Sequence, residues 1–302
     1  MTAIAEPAVR RPAQTPFRRF LADFMESRVA VGAFIVLAAI AAVSILAPWI
    51  TPQDPFDLKQ LDIMESKLPP LSAGSDGQMF WLGTDDQGRD MLSAIIYGLR
   101  TSILVGIGSS FGAMLLGMPV GILAAYFGGR IDSLIMRVVD IQLSFPAILI
   151  ALVLLAVLGQ GVDKIIIALV AVQWAYYART VRGTALVERH KEYIEAARCL
   201  ALGSRRIVFG HLLPNCMPPL IVVNTVLVAS AIALEATLSF LGLGLPITKP
   251  SLGLLIANGF EYLLSGKYWI SFFPGVALLI TIVCINLVGD QLRDVLNPRL
   301  QR

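Results

Sequence analysis

The amino-acid sequence predicts an all-α, polytopic membrane protein with six transmembrane helices, and two observations lead to this fold class. Apolar residues make up 56% of the chain and charged residues only 15%, which leaves too little polar surface to cover a water-soluble protein of this size. The apolar residues also gather in uncharged runs, most of them near or above the roughly 20 residues that a helix needs to cross a bilayer. These runs are Val29–Ile50, Thr101–Gly129, Ile141–Val162, Ile165–Ala178, Leu212–Leu234 and Tyr268–Gly289.

The fourth run, Ile165–Ala178, is shorter than the others. Lys164 and Arg179 stand at its two ends, and long basic side chains can bury their stems in hydrocarbon while the charged group reaches the interface. We therefore expect this run to span the membrane as well, and the six predicted helices include it.

The positive charges predict on which side of the membrane each loop lies, because Lys and Arg next to the spans are retained in the cytoplasm. With the amino terminus inside, seventeen of the 24 Lys and Arg residues fall in cytoplasmic segments and seven in external ones. Both termini and the central loop are therefore expected in the cytoplasm. The net charge of +3 mostly reflects these cytoplasmic Lys and Arg residues. The sequence has no basic stripe interleaved with aromatic residues, so no nucleic-acid partner is expected.

The spans divide the chain into consecutive segments. Near the end of the first external segment, residues 81–90 favour an ordered turn that leads into an amphipathic helix from Met91. A second external stretch, Gly242–Lys267, is too Gly-rich to span and fits a re-entrant or interfacial helix. The predicted segments are a cytoplasmic tail (1–28), a transmembrane helix (29–50), a periplasmic segment (51–97), a five-helix core (98–292) with the central loop (179–215), and a cytoplasmic tail (293–302).

The central loop, Arg179–Asn215, has the pattern of two short helices. Lys191 precedes Glu195 by four residues, the spacing of a helical ion pair. Gly203 followed by Ser204 is typical of a helix end and a new N-cap, and the prolines at 214, 218 and 219 are expected to end the second helix. An apolar stripe at helical spacing is expected to face a partner protein; it consists of Leu186, Tyr193, Ile194 and Ala197.

One motif in this loop resembles a known family. Glu195-Ala196-Ala197, followed in register by Leu213-Pro214, resembles the Glu-Ala-Ala loop of ATP-binding-cassette (ABC) importer permeases, which docks on the ATPase subunit. Two positions depart from the pattern, because Ala201 stands where the family has glycine and His211 where it has isoleucine, so Gly203 is expected to take over the turn. The resemblance implies that the coupling residues are Glu192, Glu195, Ala196, Ala197, Ala201, Gly203, His211, Leu213 and Pro214.

Further blocks extend the resemblance from Leu82 to the end of the chain, specifically to permeases for dipeptides, oligopeptides and nickel. One departure is Leu252, where the family commonly has tryptophan. The blocks include Gly83-Thr84-Asp85, Tyr97-Gly98-Leu99-Arg100-Thr101-Ser102, Ala125-Tyr126-Phe127-Gly128-Gly129, Leu238-Ser239-Phe240-Leu241-Gly242, Phe273-Pro274-Gly275, Gly289-Asp290-Gln291-Leu292-Arg293-Asp294 and Asn297-Pro298-Arg299-Leu300. The resemblance rests on the order and spacing of these blocks, which this sequence shares with the family.

The resemblance implies a type I ABC importer permease fold in the bacterial inner membrane, and the shorter of two permease partners. It implies that the chain lies in the lipid bilayer and has three kinds of protein partner: a homologous second permease, two ABC ATPase subunits, and a periplasmic or lipid-anchored solute-binding protein. The implied cargo is a peptide or a related small solute such as a nickel complex.

Several chemical functions are disfavoured by the sequence. No Gly-x-x-x-x-Gly-Lys-Ser/Thr loop is present to cradle nucleotide phosphates, so ATP hydrolysis is expected from separate subunits and no enzyme activity from this chain. Gly108-Ser109-Ser110-Phe111-Gly112 matches the nucleophile elbow of hydrolases, but Ser110 lies within a long apolar run, far along the chain from either histidine. The residue spacing suggests no metal site, no cofactor is expected, and the three cysteines do not suggest a disulfide framework.

Two small-residue pairs in the second run predict close helix contacts. Gly108 with Gly112, and Gly117 with Gly121, each form a notch in which another helix can pack. The two notches are nine residues apart, which is an odd number of half-turns in a straight helix. We therefore expect them on opposite faces, against two different neighbours.

Polar residues within the apolar runs are candidates for the translocation pathway. Glu235 is the acidic residue deep in a run, where a charge costs about 3 kcal/mol or more unless it is paired or faces water. It either lines the pathway or is bonded to a neighbouring helix. Asn224, Asn286 and Gln173 are weaker candidates, because most such amides join helices. An ion-gradient-driven secondary transporter or channel is the alternative function, and it is expected to carry more ionisable residues near the midplane.

Two charged clusters have structural interpretations. Asp85–Asp90 resembles a calcium loop, but Ile96 stands where the last carboxylate ligand is needed, so we expect a turn in which Arg89 pairs with a carboxylate. Asp140 and Arg137, near the end of a span, are expected to form a local ion pair or a helix-to-loop contact.

Overall fold

The computed structural model describes residues 16–57, 61–75 and 77–296. The first fifteen residues of the predicted amino-terminal tail and the block Asn297-Pro298-Arg299-Leu300 lie outside the described residues. The helices are α1 (Pro16–Glu26), α2 (Arg28–Ile45), α3 (Ala47–Ile50), α4 (Met91–Phe127), α5 (Gly129–Leu143), α6 (Ala147–Leu158), α7 (Val162–Glu188), α8 (Glu192–Cys199), α9 (Ser204–Ile207), α10 (Leu213–Phe240), α11 (Leu252–Phe260) and α12 (Trp269–Leu296). The shorter elements are strands β1 (Ser72–Ala73) and β2 (Met79–Phe80), 3₁₀ turns at Ile63–Glu65 and Leu263–Ser265, and a π-helical turn at Val208–Leu212.

The described part of the chain has four helices long and apolar enough to cross a membrane, and a bent pair makes a possible fifth. The four are Arg28–Ile45, Met91–Phe127, Ser204–Phe240 and Trp269–Leu296. The fourth predicted span lies within α7, which continues ten residues past Ala178 and carries Arg179 and Arg182 there. α7 is not among the four, so the predicted number of six is not confirmed.

The third predicted span, Ile141–Val162, is wrong as a single straight helix. It is divided between α5 and α6, whose axes differ in direction by 87°. Pro146 stands at the break, and a proline disfavours helical geometry in the residue before it. The hydropathy of the run is unaffected by the break, so hydropathy alone did not reveal it.

Two ion pairs join α5 to α7. The Arg182 guanidinium donates to both oxygens of Asp132, at 2.5 and 2.6 Å. Asp140 pairs with Arg179, not with Arg137 as the sequence suggested. The correct partner lies on another helix, 39 residues away in sequence, and sequence proximity could not identify it.

The long helices α4 and α7 pack together at glycine positions. A Cβ atom added at Gly117 would lie 2.2 Å from the Trp174 carbonyl oxygen, and one at Gly121 would lie 2.4 Å from the Ala178 oxygen. Gly108 and Gly112 meet the side chains of Ile166 and Val170 on the same helix. Both notches therefore face α7, and the expectation of two different neighbours was wrong.

Two features explain why the rotation count failed. The side chains of Ile166 and Val170 reach Gly108 and Gly112, so that pair need not point directly at the α7 backbone. Pro119 also lies within α4, and a proline removes one helical hydrogen bond and disturbs the regular 3.6-residue repeat. The count assumed a straight, regular helix.

The segment between α3 and α4 contains a buried ion pair between Asp85 and Arg89, which confirms the expected turn. Arg89 donates from Nε to Asp85 Oδ2 at 2.6 Å, with both side chains fully buried, and from Nη1 to the Ile247 carbonyl at 3.3 Å. Trp269 Nε1 donates to the Thr84 carbonyl at 3.2 Å. These contacts connect the segment to the loop before α11 and to the start of α12.

The fifth predicted span begins earlier than expected. The helix is continuous from Ser204 to Phe240, through a π-helical turn and through Pro214, Pro218 and Pro219, so these prolines do not end it. Prolines are tolerated in membrane helices when the freed carbonyls find other partners. Beside Pro214, Asn215 Nδ2 also donates to the His211 carbonyl, at 2.7 Å.

Substituting alanine for Gly117 tests the α4–α7 contact. The added methyl group would overlap Trp174 and Tyr177, and overpacking of this kind typically costs about 1–3 kcal/mol. We expect the Gly117→Ala chain to unfold at a clearly lower temperature in detergent. Gly275→Ala is the control, because nothing lies within 4 Å of an added Cβ there. Equal melting temperatures for the two variants would contradict the contact.

Candidate functional site

A cavity of about 1280 Å³ lies among α1, α6, α7, α10 and α12. One end is charged and includes Glu188, Lys191 and Asp290, whereas the other end is mostly apolar. The lining residues are Arg19, Phe20, Asp23, Ala147, Val172, Gln173, Tyr176, Thr180, Thr184, Glu188, Lys191, Asn215, Pro218, Pro219, Val222, Val223, Val226, Leu227, Ser230, Leu234, Gly289, Asp290, Arg293, Val295 and Leu296.

The α7 wall of the cavity is polar. Its lining residues recur every three or four positions, which places them on one face of the helix: Gln173, Tyr176, Thr180, Thr184 and Glu188. Each threonine hydroxyl donates to the carbonyl four residues earlier, at 2.9 Å for Thr180 and 3.1 Å for Thr184. Their oxygens therefore retain acceptor capacity toward the cavity.

The α10 wall is mostly apolar. Pro218, Pro219, Val222, Val226 and Leu234 face the cavity, with Ser230 as a polar residue between them. Gln173 joins the two walls, because its Nε2 donates to the Leu227 carbonyl at 3.0 Å. The cavity thus has one wall rich in hydrogen-bonding groups and one that is mostly hydrocarbon.

The charged end of the cavity adjoins the junction of α7 and α8. Lys191 Nζ lies 2.6 Å from Glu188 Oε1, and Tyr193 Oη donates to Glu188 Oε2 at 2.7 Å. Burial alone raises the pKa of the Glu188 carboxyl, but the two hydrogen bonds and the Lys191 charge together lower it below its ordinary value. Lys191 therefore pairs with Glu188.

The two short helices α8 and α9 pack on each other through part of the predicted apolar stripe. Ile194 and Ala197 are buried in a cluster with Ile207 and also contact Tyr126, at the end of α4. Ile194 and Ala197 are thus covered by this chain rather than left for a partner, contrary to expectation. The opposite face of α8 is exposed and carries Glu192, Glu195 and Ala196.

Ala201, not Gly203, makes the turn between α8 and α9. Its φ is 53°, in the left-handed region that favours glycine, and it directly follows the C-cap of α8. Gly203 has φ −60° and ψ 144°, which any residue adopts. The expectation that Gly203 takes over the turn was wrong, because only the backbone conformation shows which residue makes it.

The other proposed coupling residues lie after this turn. His211 falls in the π-helical turn, and Leu213 and Pro214 begin α10. His211 and Leu213 are half-buried, while Pro214 is exposed.

Of the pathway candidates, Gln173 is the one that lines this cavity within the described chain. Glu235 is fully buried, and it accepts from Ser102 Oγ at 3.0 Å and Ser239 Oγ at 2.8 Å. Asn224 Oδ1 accepts from Tyr177 Oη at 2.8 Å and from Ser110 Oγ at 3.0 Å. Asn286 is exposed on α12. Glu235 and Asn224 join neighbouring helices in this structure, and their pathway role stays a prediction.

Comparison with known proteins identifies the family. The Binding-protein-dependent transport system inner membrane component family matches residues 117–302, and the N-terminal TM domain of oligopeptide transport permease C matches residues 15–70. The chain belongs to this permease family. It is therefore an inner-membrane, multi-pass protein.

Two relatives align with this permease over nearly its full length. The Di/tripeptide transport system permease protein DppC of Pseudomonas aeruginosa is 36% identical over 298 residues, 98% of this chain and 96% of the relative. The Dipeptide transport system permease protein DppC of Haemophilus influenzae is 34% identical over 289 residues, 96% of this chain and 97% of the relative.

A solved structure shares the fold of this permease. It is a chain of the MetNI methionine ABC transporter in an inward-facing conformation, with a TM-score of 0.56 and 22% sequence identity. The match covers 68% of this chain and 98% of that chain. At this level of identity the likeness shows the fold alone.

Sequence reasoning missed most of the cavity wall of this permease. Tyr176, Thr180 and Thr184 fall within or beside the short fourth run, and their common face becomes evident only when α7 is known to continue to Glu188. A signal was present, since polar residues recur there at helical spacing. The contribution of Arg19 and Asp23 from α1 had no such signal, because it depends on how α1 packs against α12.

Exchanging glycine and alanine at the turn tests its assignment. Alanine in the left-handed conformation costs about 1 kcal/mol relative to glycine, so Ala201→Gly is expected to raise the melting temperature of the purified permease by a few degrees. Gly203→Ala is expected to leave it unchanged, because its backbone suits any residue and nothing lies within 4 Å of an added Cβ. The reverse order of effects would show that Gly203 makes the turn.

Proposed function

We propose that this permease is the transmembrane subunit of an ATP-driven ABC importer and forms half of a translocation pathway. The proposed cargo is a dipeptide or oligopeptide, or a related small solute such as a nickel complex. The family supports the assignment to a binding-protein-dependent importer, and the names of the two DppC relatives favour peptides as the cargo. The large cavity with one polar and one apolar wall supports a transit role.

The proposed assembly contains a homologous second permease, two ABC ATPase subunits and a periplasmic or lipid-anchored solute-binding protein. Its amino terminus is cytoplasmic, and the segments follow the predicted order: tail 1–28, helix 29–50, periplasmic segment 51–97, core 98–292 and tail 293–302. The charge distribution supports this orientation, since positively charged segments are retained inside.

In this proposal α8 and α9 receive the movement of the ATPase. The exposed face with Glu192, Glu195 and Ala196 is the docking surface, while buried Ile194 and Ala197 make the two helices move as one body. Lys191 and Tyr193 transmit that movement to Glu188, at the end of the cavity wall. A tilt of α7 relative to α10 then changes the side to which the cavity opens.

The single observation that carries the proposal is the direct contact between the coupling segment and the cavity. Glu188 and Lys191 both line the cavity, and Lys191 is also the N-cap of α8. A rigid displacement of α8 therefore changes the cavity wall without any intervening flexible segment.

Reconstitution in vesicles distinguishes this proposal from an ion-gradient-driven transporter or channel. We expect the assembled permeases, ATPases and binding protein to accumulate dipeptide only when ATP is supplied on the ATPase side. A proton ionophore should leave this uptake intact. Uptake that continues without ATP but collapses with the ion gradient would support the alternative and overturn our proposal.

Reversing the charge of Glu195 tests the coupling surface. Glu195→Lys alters an exposed side chain on α8, so we expect normal insertion and assembly, continued ATP hydrolysis, and peptide uptake reduced by about tenfold or more. Glu261→Lys is the control, because Glu261 is an exposed acidic residue just after α11, in the second predicted external stretch. Normal uptake by the Glu195 variant would contradict a coupling role for this face.

A further inference from the structure

The two walls of the cavity differ in a way that bears on how cargo lies within it. On α7, Gln173 is 1% exposed, and its Oε1 has no hydrogen-bond partner within residues 16–57, 61–75 and 77–296. A buried acceptor left without a donor typically costs about 1–3 kcal/mol. The nitrogen of the same side-chain amide is hydrogen-bonded, since Nε2 donates to the Leu227 carbonyl of α10.

Beyond Tyr176, whose phenol can donate or accept, the next two polar groups along the same face are also acceptors. Thr180 and Thr184 each use the hydroxyl proton for a carbonyl of their own helix, at 2.9 and 3.1 Å, so toward the cavity they offer lone pairs. Glu188 continues the row with a carboxylate. Both Glu188 oxygens already accept from Lys191 and Tyr193, so within the described part of the chain the open acceptor capacity of this face belongs to Gln173, Thr180 and Thr184.

The opposite wall has the complementary property. Val222, Val226 and Leu234, together with two prolines, present hydrocarbon and no N–H donor. A proline ring also removes the backbone N–H, so Pro218 and Pro219 cannot supply donors from the helix either. Ser230 and Asn215 on α10 do carry donors, but neither hydrogen-bonds Gln173, Thr180 or Thr184 within the described part of the chain, which leaves these acceptors to water or cargo.

We propose that Gln173, Thr180 and Thr184 form an acceptor row that binds the backbone N–H groups of a peptide in transit, while α10 accommodates its side chains. This inference rests on the proposed function, because it names how the same cavity recognises its cargo. A short peptide is an ordered series of N–H donors with apolar or polar side chains on the other side. Because such a site binds only the backbone, it does not discriminate between side chains. This suits a transporter that carries many different peptides.

The test compares two peptides that differ in one donor, in vesicles containing the complete transporter with saturating loaded binding protein. Alanyl-alanine has an amide N–H, and alanyl-sarcosine carries a methyl group in its place. We expect the wild-type transporter to take up alanyl-alanine about fivefold to tenfold faster. Thr180→Val with Thr184→Val should lower alanyl-alanine uptake by a similar factor and change alanyl-sarcosine uptake by less than twofold.

Matched variants separate recognition from packing. Valine has the shape of threonine, and Thr180→Ser with Thr184→Ser, which keeps both hydroxyls, should restore the preference for alanyl-alanine. Thr237→Val is the control on α10, because Thr237 also bonds the carbonyl four residues earlier, at 2.8 Å, but does not belong to the cavity lining. Gln173→Leu should lower the preference in the same direction as the double valine variant.

Each outcome decides between the alternatives. An equal loss for both peptides in the valine variant would show that the threonines support packing, and would overturn the acceptor row while leaving the proposed function intact. An unchanged preference would overturn it as well. A wild-type complex that hydrolyses ATP but transports neither peptide would overturn the proposed peptide function, and the acceptor row with it.

Discussion

The close contact between α4 and α7 is the constraint on which the rest of the structure depends. Gly117 and Gly121 let the backbone of α7 approach so closely that a methyl group at either position would meet a carbonyl oxygen within 2.4 Å. Lipid tails are as apolar as side chains, so membrane helices associate through such packing and through hydrogen bonds rather than through the hydrophobic effect. The contact fixes the position of α7, and α7 supplies both the cavity wall and the connection to α8.

Buried hydrogen bonds then set α10 against this pair. Ser110, Tyr177 and Asn224 join α4, α7 and α10 through hydroxyl and amide groups, and Glu235 is held by the hydroxyls of Ser102 and Ser239. In the low-dielectric interior, a buried polar group without a hydrogen-bond partner is costly in free energy. The helix arrangement that forms all of these bonds is therefore favoured. The other faces of α7 pack against α4, α5, α6 and α10, while its polar face lines the cavity.

The two short helices α8 and α9 are connected directly to the cavity for a related reason. The buried pair Ile194 and Ala197 ties α8 to α9, while Lys191 and Tyr193 tie the start of α8 to Glu188. A force applied to the exposed face of α8 therefore reaches the lining of the cavity through packed side chains and short hydrogen bonds. The ion pairs of α5 with Arg179 and Arg182 brace the same end of α7 from the other side.

The sequence by itself determined the membrane class, most long helices, the Asp85–Arg89 turn and the family, because composition, run length and motif order are local properties. The tertiary structure decided what depends on several helices meeting: both glycine notches facing α7, Asp140 pairing with Arg179, and Ala201 making the turn. It also decided which polar residues face a cavity, since Gln173 lines it while Glu235 is enclosed by serines. Hydropathy reports that a residue is polar, but only packing fixes what lies opposite it.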